Sequence, residues 1–330
     1  KVLKEFEANK TMGTLVFPTG VTLEEWTKYW LNNIKSINCE ETTLYGYRNI
    51  IKNHLIPCLG KYKLQELNAG IINQYFISRV DAGLSKTTIR KHYDLLKDIL
   101  KHAVYEEKIL KNPVDRIEPI KKQKYTPDIY NVEKLKVLFS AIKDDPIEIA
   151  VKLAALLGLR REEIVGLKWE FVDLDKQQII ISQVLTQAGG KLIEKCTKNP
   201  SSHRTLFLPD ELIELLKKVK SDQENRKSLN IKDFQDSGYV LTQENGKSYK
   251  PNKLSELFKE FIDKNGLPKI TLHGLRHGFA SIANDLGIGL YDISKALGHS
   301  SVSITEQVYT HMFDVTHKRA ISKIMEALKE

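Results

Sequence analysis

PIEIAVKLAALLGLRREEIVGL, residues 146–167, reads as helical, and it carries an arrangement of charges that organises the rest of the chain. Arg160 follows Gly158-Leu159, and Glu163 stands three residues beyond it, on the same face of a helix turn. Upstream, NVEKLKVLFSAIK (131–143) is also helical. Downstream, VDLDKQQIIISQVLT (172–186) and KLIEKCTKNPSSHRTLFLP (191–209) read as β-strands, with a turn at Gly189-Gly190. From Asp210 onward the pattern is helical again. This longer unit is therefore expected to combine helices with a small antiparallel β-sheet.

The first third of the chain is different. Residues 1–19 are polar without a clear period and read as an arm or linker. Thr22 with Glu25 makes a capping box, and Leu23, Trp26, Tyr29, Trp30 and Ile34 have helical spacing. A second helix is expected from Thr42, carrying Leu44, Tyr47, Ile51 and Leu55 and stopping before Pro57. LNAGIINQYFISRVDAG (67–83) gives a third, ended by Gly83. SKTTIRKHYDLLKDILKHAVYEEKIL (85–110) gives a fourth, capped by Ser85 and stopped before Asn112-Pro113. Four helices with short polar loops predict an all-α domain over 20–117. A polar, basic linker follows at 118–127, then a mixed domain over 128–311 and a tail over 312–330. The tail holds an amphipathic stripe of Ile321, Ile324, Met325 and Leu328. No internal repeat or low-complexity tract is present.

Composition narrows the function classes. With 330 residues, 41% hydrophobic and 28% charged, the chain can bury two cores and has an ordinary soluble balance. No apolar run approaches the roughly 20 residues that cross a bilayer, and no signal peptide opens the chain. The first residue is Lys1 rather than Met, as expected of a fragment that has lost an N-terminal segment. Cys39, Cys58 and Cys196 are widely spaced, which argues against a disulfide framework or a structural zinc site and fits a reducing cytoplasm. The net charge is +9, and residues 1–126 hold 21 Lys+Arg against 14 Asp+Glu. The remainder holds 30 against 28, so the positive excess sits in the helical third, where a polyanion would be gripped. Along the fourth helix and its start lie Lys86, Thr87, Thr88, Arg90, Lys91, Lys97 and Lys101, candidates for contacts to DNA phosphates. Each could equally be part of a solvated face.

Groups able to act on a phosphodiester are scattered over the second unit. Besides Arg160 there are His273 and Arg276 in TLHGLRHGFAS, His299 in KALGHSS, Tyr309 in SITEQVYTHMF and Lys198 in TKNPSSHR. Any one of them alone would be a salt-bridge partner, a satisfied polar residue or a packed ring. No acidic cluster suited to a metal ion stands out.

In their order along the chain, GLRREEIVGLKW, TKNPSSHR with RTLFLP, HGLRHGFAS, LGHSS and the following Tyr309 resemble the signature blocks of the tyrosine recombinases. LGKYKLQELNAGIINQYF, GLSKTTIRKHYDLLKDILKHAV and the NPV after it resemble the core-binding domain of the same family. The likeness spans about residues 20–320 and is strongest to phage and conjugative-transposon integrases. It implies a helical, SAM-like core-binding domain and a mixed α/β catalytic domain that form a C-shaped clamp on DNA. It also implies site-specific cleavage and rejoining through a 3′-phosphotyrosine and a Holliday junction. Arg160 and Arg276 would clamp the phosphate oxygens, a task that suits planar guanidinium. Arg161 competes with Arg160, and the family's spacing of Arg to acidic residue favours Arg160 with Glu163. His273 would be the general base or hydrogen-bond partner, His299 a further donor, Lys198 the acid for the departing 5′-oxygen and Tyr309 the nucleophile. Lys195 competes with Lys198, and Glu163 would orient Arg160. His203, His277, His311 and His317 match no role. No cofactor or metal is implied. The implied partners are double-stranded DNA, three further copies in a synaptic tetramer, an excisionase and DNA-bending proteins, with no membrane, at the bacterial nucleoid in the cytoplasm. The tail would dock on a neighbouring protomer or pack on its own domain. A type IB topoisomerase and a DNA-binding protein without catalysis are the alternative readings.

Overall fold

The computed structural model describes residues 20–121, 127–196, 202–229, 234–299 and 301. The chain divides into two compact units, Lys1–Tyr125 and Thr126–Glu330.

The first unit is helical. Thr22 caps α1 (Leu23–Tyr29): its N–H reaches Glu25 Oε2 at 2.9 Å, and Glu25 N–H returns to Thr22 Oγ1 at 3.3 Å. This box satisfies donors that a helix start otherwise leaves open. The helix widens into a π segment at Trp30–Lys35 and ends at Asn38. α2 (Glu41–Ile50) also passes through a π segment, Ile51–Leu55, and then runs on as Ile56–Leu59. The expected stop before Pro57 is thus corrected. Pro57 lies in the first turn after the π segment, where its missing N–H removes no bond of the following turn. α3 (Ala69–Asp81) starts on the Asn68 side chain and is followed by Gly83 at φ +79°. α4 (Lys86–Tyr105) starts on the Ser85 hydroxyl and stops at Tyr105 rather than reaching Leu110. Glu107 turns left-handed there, and Lys108 N–H returns to Ala103 O at 2.8 Å, which folds Ile109 back onto the core.

Trp26, Trp30, Leu55, Phe76, Tyr93 and Leu96 centre this core. Trp26 Nε1 donates to Ile99 O at 3.0 Å, so this buried ring also meets its polar need. Beyond the short helical turn Pro113–Arg116, Tyr93 Oη donates to Ile117 O and Arg90 Nη1 to Ile120 O at 2.9 Å. The basic segment that reads as a linker therefore begins along α4 rather than away from it.

The second unit opens with α5 (Val132–Ala141), α6 (Glu148–Leu157) and α7 (Arg161–Gly166). Its strands form two antiparallel sheets rather than one. β1 (Val172–Asp173), β2 (Gln178–Ile181) and β5 (Arg204–Phe207) pair in the order β1-β2-β5. β3 (Gln183–Ala188) and β4 (Lys191–Cys196) make a hairpin over Gly189 and Gly190, both at positive φ. α8 (Asp210–Ser228), α9 (Pro251–Lys264), α10 (Leu272–Asp285) and α11 (Leu290–Leu297) complete the described part. α6 is covered on all sides and packs against α10, while α7 packs on β3. Even Lys152 of α6 is buried, held by Glu148 at 3.0 Å and Glu211 at 2.7 Å. This α6–α10 contact brings the 158–163 and 273–276 segments together.

Candidate active site

Gly158 ends α6 at φ +64°, and the next residues lead straight into α7, whose N-cap is Arg160. The turn is tight because Glu163 closes it: its carboxylate accepts Arg160 N–H at 2.8 Å and Arg160 Nη1 at 2.8 Å. Glu163 is only 1% exposed, so its charge needs partners. It has three. Arg204 of β5 grips it with two parallel bonds, Nη1 to Oε1 at 3.0 Å and Nη2 to Oε2 at 2.9 Å. Arg276 of α10 approaches Oε2 at 3.9 Å. Burial pushes the Glu163 carboxyl up, but the Arg204 bonds and the charges of Arg204, Arg160 and Arg276 outweigh that and leave it below the usual range.

The guanidiniums are also fixed by backbone carbonyls around the end of α11. Arg160 Nη2 donates to Gly298 O at 3.1 Å, Arg276 Nη2 to Leu297 O at 2.7 Å and Arg204 Nε to Ala296 O at 2.6 Å. Arg276 Nη1 donates to Gly158 O at 2.5 Å. Arg160 keeps about a third of its side chain exposed, whereas Arg276 is nearly covered. Arg161 points elsewhere, to Glu162 and to Ser255 Oγ at 2.9 Å. Of the two adjacent arginines, it is Arg160 that joins the cluster.

His273 lies one turn before Arg276 on α10, open to solvent. Its imidazole sits below its ordinary range because of partial loss of water and then the charges of Arg276 and Arg160. His299 follows the α11 end and is lowered to about 4 by burial, Arg276 and Arg160. His299 is therefore neutral at neutral pH and can still donate through one ring N–H. His277, which matches no role in the sequence, packs edge-on to His273 with ring centroids 4.5 Å apart. It too is lowered to about 4, by burial and by His273 and Arg276. Arg204 is the other residue that sequence reading left without a role. Its one visible signal is a basic residue on the inward side of the RTLFLP strand. Lys198 and Tyr309 lie outside the described residues.

Three guanidiniums thus share one carboxylate, with neutral imidazoles beside them, and the net positive charge suits a phosphate diester. Among the described residues no group of His, Cys, Asp and Glu could hold a metal ion. None of their helices is long and apolar enough to cross a membrane.

Residues 131–315 match the phage integrase family, and residues 22–79 match the phage integrase N-terminal SAM-like domain. The chain belongs to the phage integrase family of tyrosine recombinases. Members of this family cleave and rejoin DNA, and the recombinase reading is supported over a topoisomerase or an inactive binder. The chain is 28% identical to a "tyrosine recombinase XerC-like" protein of Caldanaerobacter subterraneus subsp. tengcongensis, over 98% of this chain and 90% of that one. It is 26% identical to the ICEBs1 integrase of Bacillus subtilis, over 90% and 82% of the two chains. In fold it is similar to the Tn1549 transposon integrase solved in complex with a circular intermediate DNA: TM-score 0.77, 20% identity, 92% of this chain and all of that one.

In this integrase-family chain the residues on α4 divide into two groups. Arg90 is paired with Asp94 at 2.8 Å and tied to Ile120 O, and Lys97 is paired with Asp115 at 2.8 Å. Thr88 is partly buried and bonded to the Ser85 hydroxyl at 2.9 Å. Lys86, Thr87, Lys91 and Lys101 are exposed.

Proposed function

We propose that this recombinase cuts one DNA strand at a time with Tyr309 as nucleophile, and that it integrates and excises a mobile element. The phenol oxygen attacks phosphorus, the P–O5′ bond breaks, and Lys198 gives its proton to the departing 5′-oxygen. The 3′-phosphotyrosine keeps the bond energy, so a 5′-hydroxyl from a second strand can reverse the step and restore the backbone. Arg160 and Arg276 stabilise the charge on the non-bridging oxygens, and Glu163 orients Arg160. His273 accepts the phenol proton or holds the phosphate, and His299 donates to it as a neutral imidazole. Two such exchanges pass through a Holliday junction in a tetramer, with excisionase and DNA-bending proteins setting direction, on the bacterial nucleoid. Residues 20–117 hold the duplex, with Lys86, Thr87, Lys91 and Lys101 on phosphates, while 128–311 cut it.

The observation that carries this reading is the convergence of Arg160 and Arg276 on Glu163. Side chains far apart in sequence meet at one anion-seeking point. The integrase names of the relatives support the mobile-element role. The test is a nicked suicide duplex run on a denaturing gel. Tyr309→Phe is expected to abolish the covalent adduct and leave DNA binding nearly unchanged. A persisting adduct would move the nucleophile to another residue.

A further inference from the structure

We propose that Arg204 is a positioning residue for strand cleavage: it holds the Glu163 carboxylate in place and so fixes Arg160, without touching DNA itself. This rests on the function proposed above and names a residue to which the sequence assigns no role.

Donor inventory and exposure together separate Arg204 from Arg160. A guanidinium has five N–H donors. Arg204 directs four inward: two to Glu163, one to Ala296 O at 2.6 Å and one to Ser202 O at 3.2 Å. Its side chain is 7% exposed. Arg160, by contrast, keeps about a third of its side chain exposed toward solvent. Arg204 instead joins β5, the first turn of α7 and the last turn of α11. Those are the elements that carry Arg160 and lead into His299.

The fork also sets the charge state of Glu163. Facing that carboxylate are Arg160 from its own helix start, Arg204 from β5 and Arg276 from α10, and the Arg204 bonds are the strongest influence opposing burial. Without them a carboxyl that is 1% exposed is left with weaker support, and its protonation moves toward neutral pH. A protonated Glu163 can no longer pair with Arg160, whose guanidinium would then be held by Gly298 O alone. Cleavage in such a variant fails at low pH and returns as pH rises and the carboxyl ionises. A residue that only supports the fold produces no limb of this kind.

The experiment is single-turnover cleavage by the full chain against pH, on a nicked duplex carrying the site recovered by sequencing covalently trapped DNA. Four chains are compared with the parent: Arg204→Gln, Arg204→Lys, Glu163→Gln with Arg204→Gln, and Tyr309→Phe. Arg204→Gln is expected to lose at least about tenfold in rate at neutral pH, with DNA affinity within about threefold, and to regain part of it at higher pH. The double variant keeps the rate loss but shows no acid limb beyond the parent's, since Gln does not titrate. A parental pH profile in Arg204→Gln, or an acid limb beyond the parent's that survives in the double variant, overturns the proposal. Should Arg204→Gln not fold, Arg204→Lys decides. Its point charge cannot fork onto both oxygens, so a loss of about tenfold with unchanged binding supports the proposal and a parental rate overturns it. Tyr309→Phe keeps the two readings apart. An adduct that survives there sinks the proposed function, whereas its absence there with normal Arg204 variants sinks only the role of Arg204.

Discussion

Arg160 Nη2 donates to the carbonyl oxygen of Gly298 at 3.1 Å, across 138 residues of chain. This contact ties the start of α7 to the end of α11, one residue before His299. Adjacent arginines differ accordingly, since Arg161 is engaged with Glu162 and Ser255. Arg160→Lys is expected to slow covalent adduct formation by about a hundredfold or more, because ammonium cannot span both phosphate oxygens. Arg161→Lys should stay within a fewfold of the parent. Equal losses for the two would remove Arg160 from its proposed place.

Gly158 is a second fixed point. Its φ is +64°, and an added Cβ would stand 2.6 Å from Leu297 Cδ2 and 2.9 Å from Phe279 Cδ1. Its carbonyl also accepts from Arg276. Gly158→Ala should therefore destabilise the second unit by about 1–3 kcal/mol, from backbone strain and overpacking together. Cleavage should fall with it as Arg276 shifts. Chemical unfolding beside an adduct assay measures both, and a parental midpoint would show that the site relaxes freely.

On α4, exposure rather than charge separates the expected DNA contacts. Lys86→Ala and Lys91→Ala should each reduce the slope of log affinity against log salt by roughly one, as loss of a phosphate contact does. Arg90→Ala should change that slope little and instead loosen the 117–121 segment, since Arg90 is held by Asp94 and Ile120 O. A slope change confined to Arg90→Ala would reverse this assignment.

His92 gives the first unit a pH dependence. Its ring is fully buried, bonded through Nδ1 to the Tyr75 hydroxyl at 2.8 Å, and Nε2 has no hydrogen-bond partner among the described residues. Burial and the neighbouring His54 lower its pKa from 6.5 to about 4. The unfolded chain thus takes up the proton first, so stability is complete above pH 6.5 and declines as pH falls toward 4. The decline amounts to at most about 3 kcal/mol. Trp26 and Trp30 report this unit by fluorescence once Trp169 is replaced by Phe. His92→Gln should flatten the dependence between pH 5 and 6.5; an unchanged slope would place its origin elsewhere.

Local chemistry was legible in the sequence because it acts over a few residues. The Thr22–Glu25 box, the Ser85 cap and the Gly189-Gly190 turn all sit where their side chains and backbone freedom require. Where local rules failed, a neighbouring distortion had intervened. The π segment 51–55 carries the helix past Pro57, and the left-handed Glu107 ends α4 five residues early. The ordered blocks around Arg160, His273, Arg276 and His299 could likewise be read directly, since each block is a short run of residues.

By itself the sequence determined the helices, the hairpin, the positive excess of the first third and the residue types available for phosphate chemistry. Only the packing of α6 on α10, and of α11 against α10 and β5, decided which arginines meet. Arg160 rather than Arg161 turns to Glu163, Arg204 closes the same carboxylate, and His277 comes to lie against His273. The reason is that a buried charge must find its partner within a few ångströms. Sequence spacing says which side chains share a helix face but not which distant face comes to lie against it.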